Sequence, residues 1–276
     1  MRSLNSVSAA LLALSVAVMP GCMWVHAAPA IPLKQATVEQ LTALLDERAG
    51  TIQTMKGLFR AQVAGTGLLI AQRADGVVYY RRPDSLRLQG FSAVGSKLFE
   101  YSQHRAQFQL EVPSEKKRYA GPVEELRQAK IGRLLQLSRW AVDGMVGNDR
   151  TLTGLRTALA EDGDRYRLDV FQAAPGSRLL RRLWFERHAL YIVQEDWIRE
   201  TGEVEASMIF DDFRAIPRTR GEVGVETVMP FQVTVTDYLA AGSVALSFQE
   251  IVVNPVLKPD ELAAERTWGA DEAAGG

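Results

Sequence analysis

Few residues in this chain have the type and spacing to do chemistry. A single cysteine, Cys22, excludes an intramolecular disulfide and a cysteine-cluster zinc site. The three histidines, His26, His104 and His188, lie far apart and form no His-x-x-x-His or His-Glu-x-x-His pair. His104 follows Ser102 in Tyr-Ser-Gln-His-Arg, and His188 falls in an expected hairpin turn; neither has the strained elbow that exposes a nucleophile to its base. Asp211-Asp212 is an adjacent carboxylate pair, but neighbours in a strand point to opposite faces. With no Gly-x-Ser-x-Gly and no phosphate-binding loop, the expectation is a non-enzyme without metal or cofactor. The densest charge is the run Arg178-Leu179-Leu180-Arg181-Arg182-Leu183-Trp184-Phe185-Glu186-Arg187. It could meet anionic headgroups, as could Arg81 and Arg82, or lie on a solvated strand opposite the acidic residues of 190–199. Across the 276 residues, 32 Lys/Arg against 33 Asp/Glu leave a net charge of −1, which excludes a dedicated nucleic-acid binder.

Cys22 gains meaning from what precedes it. Arg2 is a short positive region, and Val7–Met19 is an apolar stretch too short for the ~20 residues that span a bilayer. Residues 1–21 read as a signal peptide. Val18-Met19-Pro20-Gly21-Cys22 resembles a bacterial lipobox, which would make Cys22 the acylated N-terminus of a lipoprotein. A rival cut after Val25-His26-Ala27 would start the mature chain at Ala28 and discard Cys22, leaving a soluble periplasmic protein. Residues 22–36, with two prolines and no periodicity, read as the acylated cysteine and a tether.

The elements beyond the tether follow from periodicity. Thr37 with Gln40 is a capping box, and Val38, Leu41, Leu44, Leu45 and Ile52 form the apolar stripe of a helix. Period-two segments follow at 58–63, 86–91, 98–101 and 108–112, with 68–71 and 77–80 flanking an expected turn at Asp75-Gly76. Gly121-Pro122 ends this run and opens a helix expected over 123–146, with a wide apolar arc. Strands resume at 152–159, 166–171, 179–185, 190–198, 204–213, 229–239 and 244–253. Pro255 and Pro259 close the domain at about residue 257, and 258–276 reads as a flexible tail. This is an α+β chain built on a strongly bent antiparallel sheet of about eleven strands.

The order of elements resembles the LolA/LolB-like carriers and the lipoprotein families related to them. The segment Leu86-Arg87-Leu88-Gln89-Gly90-Phe91-Ser92-Ala93-Val94-Gly95-Ser96-Lys97-Leu98-Phe99-Glu100 is the closest match, where a strand runs through a short glycine loop into an apolar strand. Met229-Pro230 and the closing strand around Phe248 match as well, so the resemblance spans residues 37–257. It implies a half-open β-barrel whose mouth is covered by helices, and a cavity that takes acyl chains of lipids or lipoproteins. Met23, rather than aspartate, at the second mature position points by resemblance to the periplasmic face of the outer membrane. The turn Arg81-Arg82-Pro83-Asp84-Ser85 departs from the acceptors in carrying no protruding apolar residue.

Inward-facing candidates to line such a cavity are Phe59, Leu69, Tyr79, Leu88, Phe99, Phe108, Trp184, Ile192 and Phe210 from strands, with Leu134, Leu137 and Trp140 from the second helix. A barrel of this size either fills with side chains or leaves room for a ligand. The expected partners are acyl chains, a membrane reached through the N-terminal anchor, and an envelope protein. The alternative reading is a non-catalytic structural or interaction lipoprotein of an envelope complex.

Overall fold

The computed structural model describes residues 32–65, 72–128, 131–147, 152–173, 178–217 and 227–262. Its first helix, α1 (Val38–Thr51), starts as its cap dictates: Thr37 Oγ1 accepts from Gln40 N at 3.3 Å while Gln40 Oε1 accepts from Thr37 N at 2.9 Å. Six strands follow: β1 (Thr54–Gly65), β2 (Gln72–Arg81), β3 (Ser85–Phe91), β4 (Lys97–His104), β5 (Gln107–Val112) and β6 (Lys117–Pro122). A 3₁₀ segment at Val123–Gln128 leads to α2 (Gly132–Val146). Seven more strands complete the sheet: β7 (Arg156–Asp162), β8 (Arg165–Phe171), β9 (Leu179–Glu186), β10 (Ile192–Ile198), β11 (Val204–Ala215), β12 (Val228–Asp237) and β13 (Gly242–Val253), before the single turn α3 (Pro259–Leu262).

All thirteen strands form one antiparallel sheet in the order β6-β5-β4-β3-β2-β1-β13-β12-β11-β10-β9-β8-β7. Each flank is a meander of strands paired in chain order, and the first and last strands meet at the centre, from Met55 opposite Val253 to Gly65 opposite Gly242. The two outermost strands, β6 and β7, do not pair with each other, so the curled sheet stays half-open.

One face of the sheet is the core. Alternation turns Met55, Phe59, Val78, Tyr80, Leu88, Tyr101, Leu168, Phe185, Met208, Val233 and Leu246 inward, where Leu41 and Leu45 of α1 and Leu135, Leu137, Ala141 and Val142 of α2 cover them. The opposite face is mostly solvated, but α3 covers it over β2 and β3. There Glu261 pairs with Lys56 at 3.0 Å, and Arg87 Nη1 donates to Asp260 O. Beneath α3, Glu100 is held between Arg87 (2.6 Å) and Lys97 (2.7 Å).

Two sequence expectations fail here, each for a physical reason. Asp75-Gly76 is not a turn, because β2 runs straight through it. Gly76 lies opposite Phe59, and a Cβ there would come 2.3 Å from Phe59 Cζ, so the glycine makes room for a ring. Asp75 pairs instead with Arg60 across the strands at 3.1 Å. The expected strand at 68–71 lies outside the described residues. Gly121-Pro122 opens only a 3₁₀ segment rather than the regular helix, and both residues belong to β6, whose edge position tolerates a proline without an N–H. The regular helix therefore begins at Gly132 rather than near Val123.

Candidate functional site

The two helices lie on the inner face as a roof, and their seating creates a pocket. Gly144 lets α2 rest on β11; a Cβ there would stand 2.4 Å from Met208 Sδ and 3.0 Å from Phe210 Cζ. Gly147, with φ of +69°, caps α2 against Ala49 of α1. At the other end of α2, Arg133 pairs with Asp237, a fully buried carboxylate that also accepts from Leu239 N (2.9 Å) and Ala240 N (3.2 Å).

Where the C-terminal ends of both helices converge, one arginine joins them. Arg82, in the turn between β2 and β3, donates from Nε to Ile52 O at 3.0 Å and from Nη2 to Val146 O at 2.7 Å. Its charge also faces the negative ends of both helix dipoles. A second arginine closes the opposite side: Arg48 of α1 donates to Leu190 O at 2.6 Å and lies 4.9 Å from the centre of the Tyr191 ring. Tyr191 in turn stacks on Phe213, with ring centres 4.9 Å apart. Leu190 itself has φ of +64°, a left-handed conformation that a leucine adopts only under constraint.

Between these contacts lies a cavity of about 260 Å³. Leu44, Leu45 and Ile52 line it from α1 and the residue after it, Met145 and Val146 from α2, and Tyr191, Ile192, Phe210, Phe213 and Met229 from the sheet. Arg48, Glu47 and Thr51 supply a polar rim. The arrangement holds an apolar segment by exclusion of water, with a guanidinium at its entrance.

Of the residues expected to face a cavity, Ile192 and Phe210 line this one. Phe59, Leu88, Phe108 and Leu137 are buried in the filled core, and Phe99 and Leu134 pack against its margin. Trp140 packs tilted against Trp197, ring centres 5.1 Å apart, along a separate cleft of about 480 Å³ that also holds Arg139, Arg181 and Glu195. Two of the twelve face the other way. Tyr79 lies on the outer face beneath Lys56, 5.1 Å from its Nζ, because Val78 and Tyr80 take the inward phase of β2. Trp184 likewise yields the inward phase of β9 to Leu183 and Phe185, and its Nε1 donates to Asp196 at 3.2 Å. Leu69 and Cys22 lie outside the described residues. The lining residues that went unnamed were partly visible: Leu44, Leu45 and Met145 sit on the apolar faces of their helices, whereas nothing local marks Tyr191 or Met229.

The arginine run is spent on ion pairs. Arg181 meets Glu195 of β10 at 3.3 Å in a largely buried pair on the roof side of the sheet, Arg178 meets Glu200 beyond the 190–199 strand, Arg182 turns to Asp169 of β8 and Arg187 to Glu161 of β7. Arg187 and Tyr166 also hold the end of the tether: Arg187 O accepts from Lys34 N at 2.8 Å, and the Tyr166 hydroxyl accepts from Ala36 N at 3.1 Å. His104 Nδ1 lies 2.9 Å from Ser85 Oγ on the neighbouring strand; no carboxylate contacts this pair among the described residues. Asp212 is bound by Arg214, whose hydrogen bond holds that carboxyl below its ordinary range. No group of three His, Cys, Asp or Glu residues is arranged to hold a metal among the described residues. No described helix is long and apolar enough to cross a membrane. Val94, in the turn between β3 and β4, is 87% exposed.

The fold is shared with solved structures. An outer membrane lipoprotein-sorting protein domain from Vibrio parahaemolyticus superposes with a TM-score of 0.52 at 9% identity, over 82% of this chain and 97% of that one. A LolA superfamily protein from Nitrosomonas europaea gives 0.51 at 10% identity, over 83% and 99%. A DUF1329 family protein from Desulfovibrio piger gives 0.53 at 11% identity, over 79% and 92%. No family model and no curated protein sequence matches the chain. The sheet and its roof therefore define a LolA/LolB-like fold, as the order of elements in the sequence implied.

Proposed function

We propose that this chain is an envelope lipoprotein that binds an acyl chain or similar apolar ligand between its two roof helices and the sheet. The observation that carries this reading is the apolar cavity of about 260 Å³ beneath α1 and α2. Its volume is just under the ~300–1,000 Å³ common for small-molecule sites, so it admits part of a long chain as it stands. Entry of more requires α1 to move from the sheet, against the burial of Leu41 and Leu45 and the Arg48 and Arg82 hydrogen bonds. Burying ten methylenes supplies ~8 kcal/mol before entropy losses, enough to offset several such bonds.

The resemblance supports anchorage through Cys22 and a place at the periplasmic face of the outer membrane, in lipid or lipoprotein trafficking. The exposed Val94 tip supports contact with a bilayer during handover. The test is titration of the purified chain with a fluorescent fatty acid, alongside mass spectrometry of lipid extracted from it. Saturable binding is expected, weakened at least tenfold by Ile192→Trp, which fills the pocket. Absence of both bound lipid and saturable probe binding in a folded wild-type sample would sink the reading.

A further inference from the structure

On the outer face of the sheet, away from the roof helices, β10, β11 and the turns beside them border an open cavity of about 490 Å³. Gln194, Asp196 and Ser207 form its wall, and Arg199, Glu203, Tyr238 and Leu239 lie around it. Asp196 is only 5% exposed. Its Oδ1 accepts from Gln194 Nε2 at 2.9 Å and Ser207 Oγ at 2.7 Å, and its Oδ2 accepts from Trp184 Nε1 at 3.2 Å. All three donors are neutral.

A buried carboxylate ordinarily has a counter-charge. The arginines near Asp196 are committed elsewhere. Arg182, its neighbour across β9 and β10, pairs with Asp169 at 3.4 Å. Arg181 is on the other face with Glu195, and Arg199 reaches Glu203 at 3.5 Å. No Lys or Arg nitrogen comes within 4.0 Å of Asp196 among the described residues. Two carboxylate oxygens offer about four acceptor positions, and three are filled, which leaves one on Oδ2. At the rim, Tyr238 and Leu239 are 59% and 52% exposed, an aromatic face and an aliphatic surface beside the charge.

We propose that this cavity binds a primary ammonium group. Asp196 Oδ2 accepts one N–H, and Tyr238 and Leu239 cover the methylenes next to the nitrogen, with the Tyr238 ring adding a cation–π contribution. A guanidinium is disfavoured, because its fork needs two parallel acceptors and only one position is open. The ammonium can belong to a soluble amine or to an ethanolamine headgroup. This site is independent of the acyl pocket and stands whether or not that pocket binds lipid.

The indole N–H signal of Trp184 reports the site directly, since that proton is bonded to Asp196. In the full chain, with the signal assigned through Trp184→Phe, ethylammonium chloride is expected to shift it saturably in the millimolar range. Ethanol and tetramethylammonium, which lack the charge or the N–H, should not. Asp196→Asn should abolish the response, and Tyr238→Ala, at an exposed position, should weaken it severalfold while the fold is retained. Vesicles of phosphatidylethanolamine with phosphatidylglycerol, compared with phosphatidylglycerol alone, separate a headgroup from a soluble amine as the source. The proposal is overturned if ethylammonium gives no saturable shift, or if tetramethylammonium or the folded Tyr238→Ala variant responds as ethylammonium does with the wild type.

Discussion

Replacing Arg82 by methionine keeps the aliphatic stem and removes the guanidinium that ties Ile52 O to Val146 O. A hydrogen bond from a charged donor contributes ~1.5–3 kcal/mol, and the helix-dipole contribution overlaps with it. Arg82 is half-buried, so the lower end of that range applies to each bond, and the pair together contributes about 3 kcal/mol. For a chain of this size that corresponds to a fall of roughly 6–12 °C in Tm. The bonds hold the ends of α1 and α2, so the loss should be concentrated there. Hydrogen exchange of the last turns of α1 should quicken by up to about a hundredfold, while amides in the β1–β13 seam change only as the global stability does. The apparent on-rate of a fatty-acid probe should rise, because less must be broken to lift the roof. Arg82→Lys, which reaches one carbonyl at a time, should fall between. A variant with wild-type Tm and unchanged exchange in α1 would refute the idea that this arginine fastens the roof.

Two further outcomes follow. Cys22→Ala should move the protein from the membrane to the soluble fraction; a mature N-terminus at Ala28 in the wild type would show that the cysteine is discarded with the signal peptide. Burial pushes the Glu100 carboxyl up, but the hydrogen bond from Lys97 and the charges of Arg87 and Lys97 outweigh it and hold the group below its ordinary value of 4.5. A depressed folded value means that this carboxylate stabilises the fold at neutral pH and loses that contribution as pH falls below about 4.5. Urea unfolding from pH 7 to pH 3 should therefore show a shallower acid decline in Glu100→Gln than in the wild type, and an equal decline would refute it.

What the sequence disclosed depended on how local each cause was. The Thr37–Gln40 cap is settled within four residues, and α1 forms where it predicts. Strands with one clear apolar phase, such as Phe108-Gln109-Leu110-Glu111-Val112, were equally plain. Where apolar residues run together the phase is open, and neighbours across the sheet decide it. That is how Tyr80 displaced Tyr79, and Leu183 and Phe185 displaced Trp184. β6 escaped notice because Lys117-Arg118-Tyr119-Ala120-Gly121-Pro122 is mostly exposed and carries no apolar alternation. Gly76 misled because its purpose, space for Phe59, lies on another strand. The pocket was the least legible part: its lining converges from two helices and three strands, so no single window of sequence contains it.

The central seam also constrains how the molecule is made. β1 finds β13 only after roughly 200 further residues exist, an interval of about 10–40 s at ~5–20 residues per second. Until then each flank can form its own hairpins, but β1 has an unsatisfied edge at the middle of the future sheet. Contacts of such separation are slow to close. The chain thus remains without its finished core throughout most of its synthesis, a delay set by strand order alone.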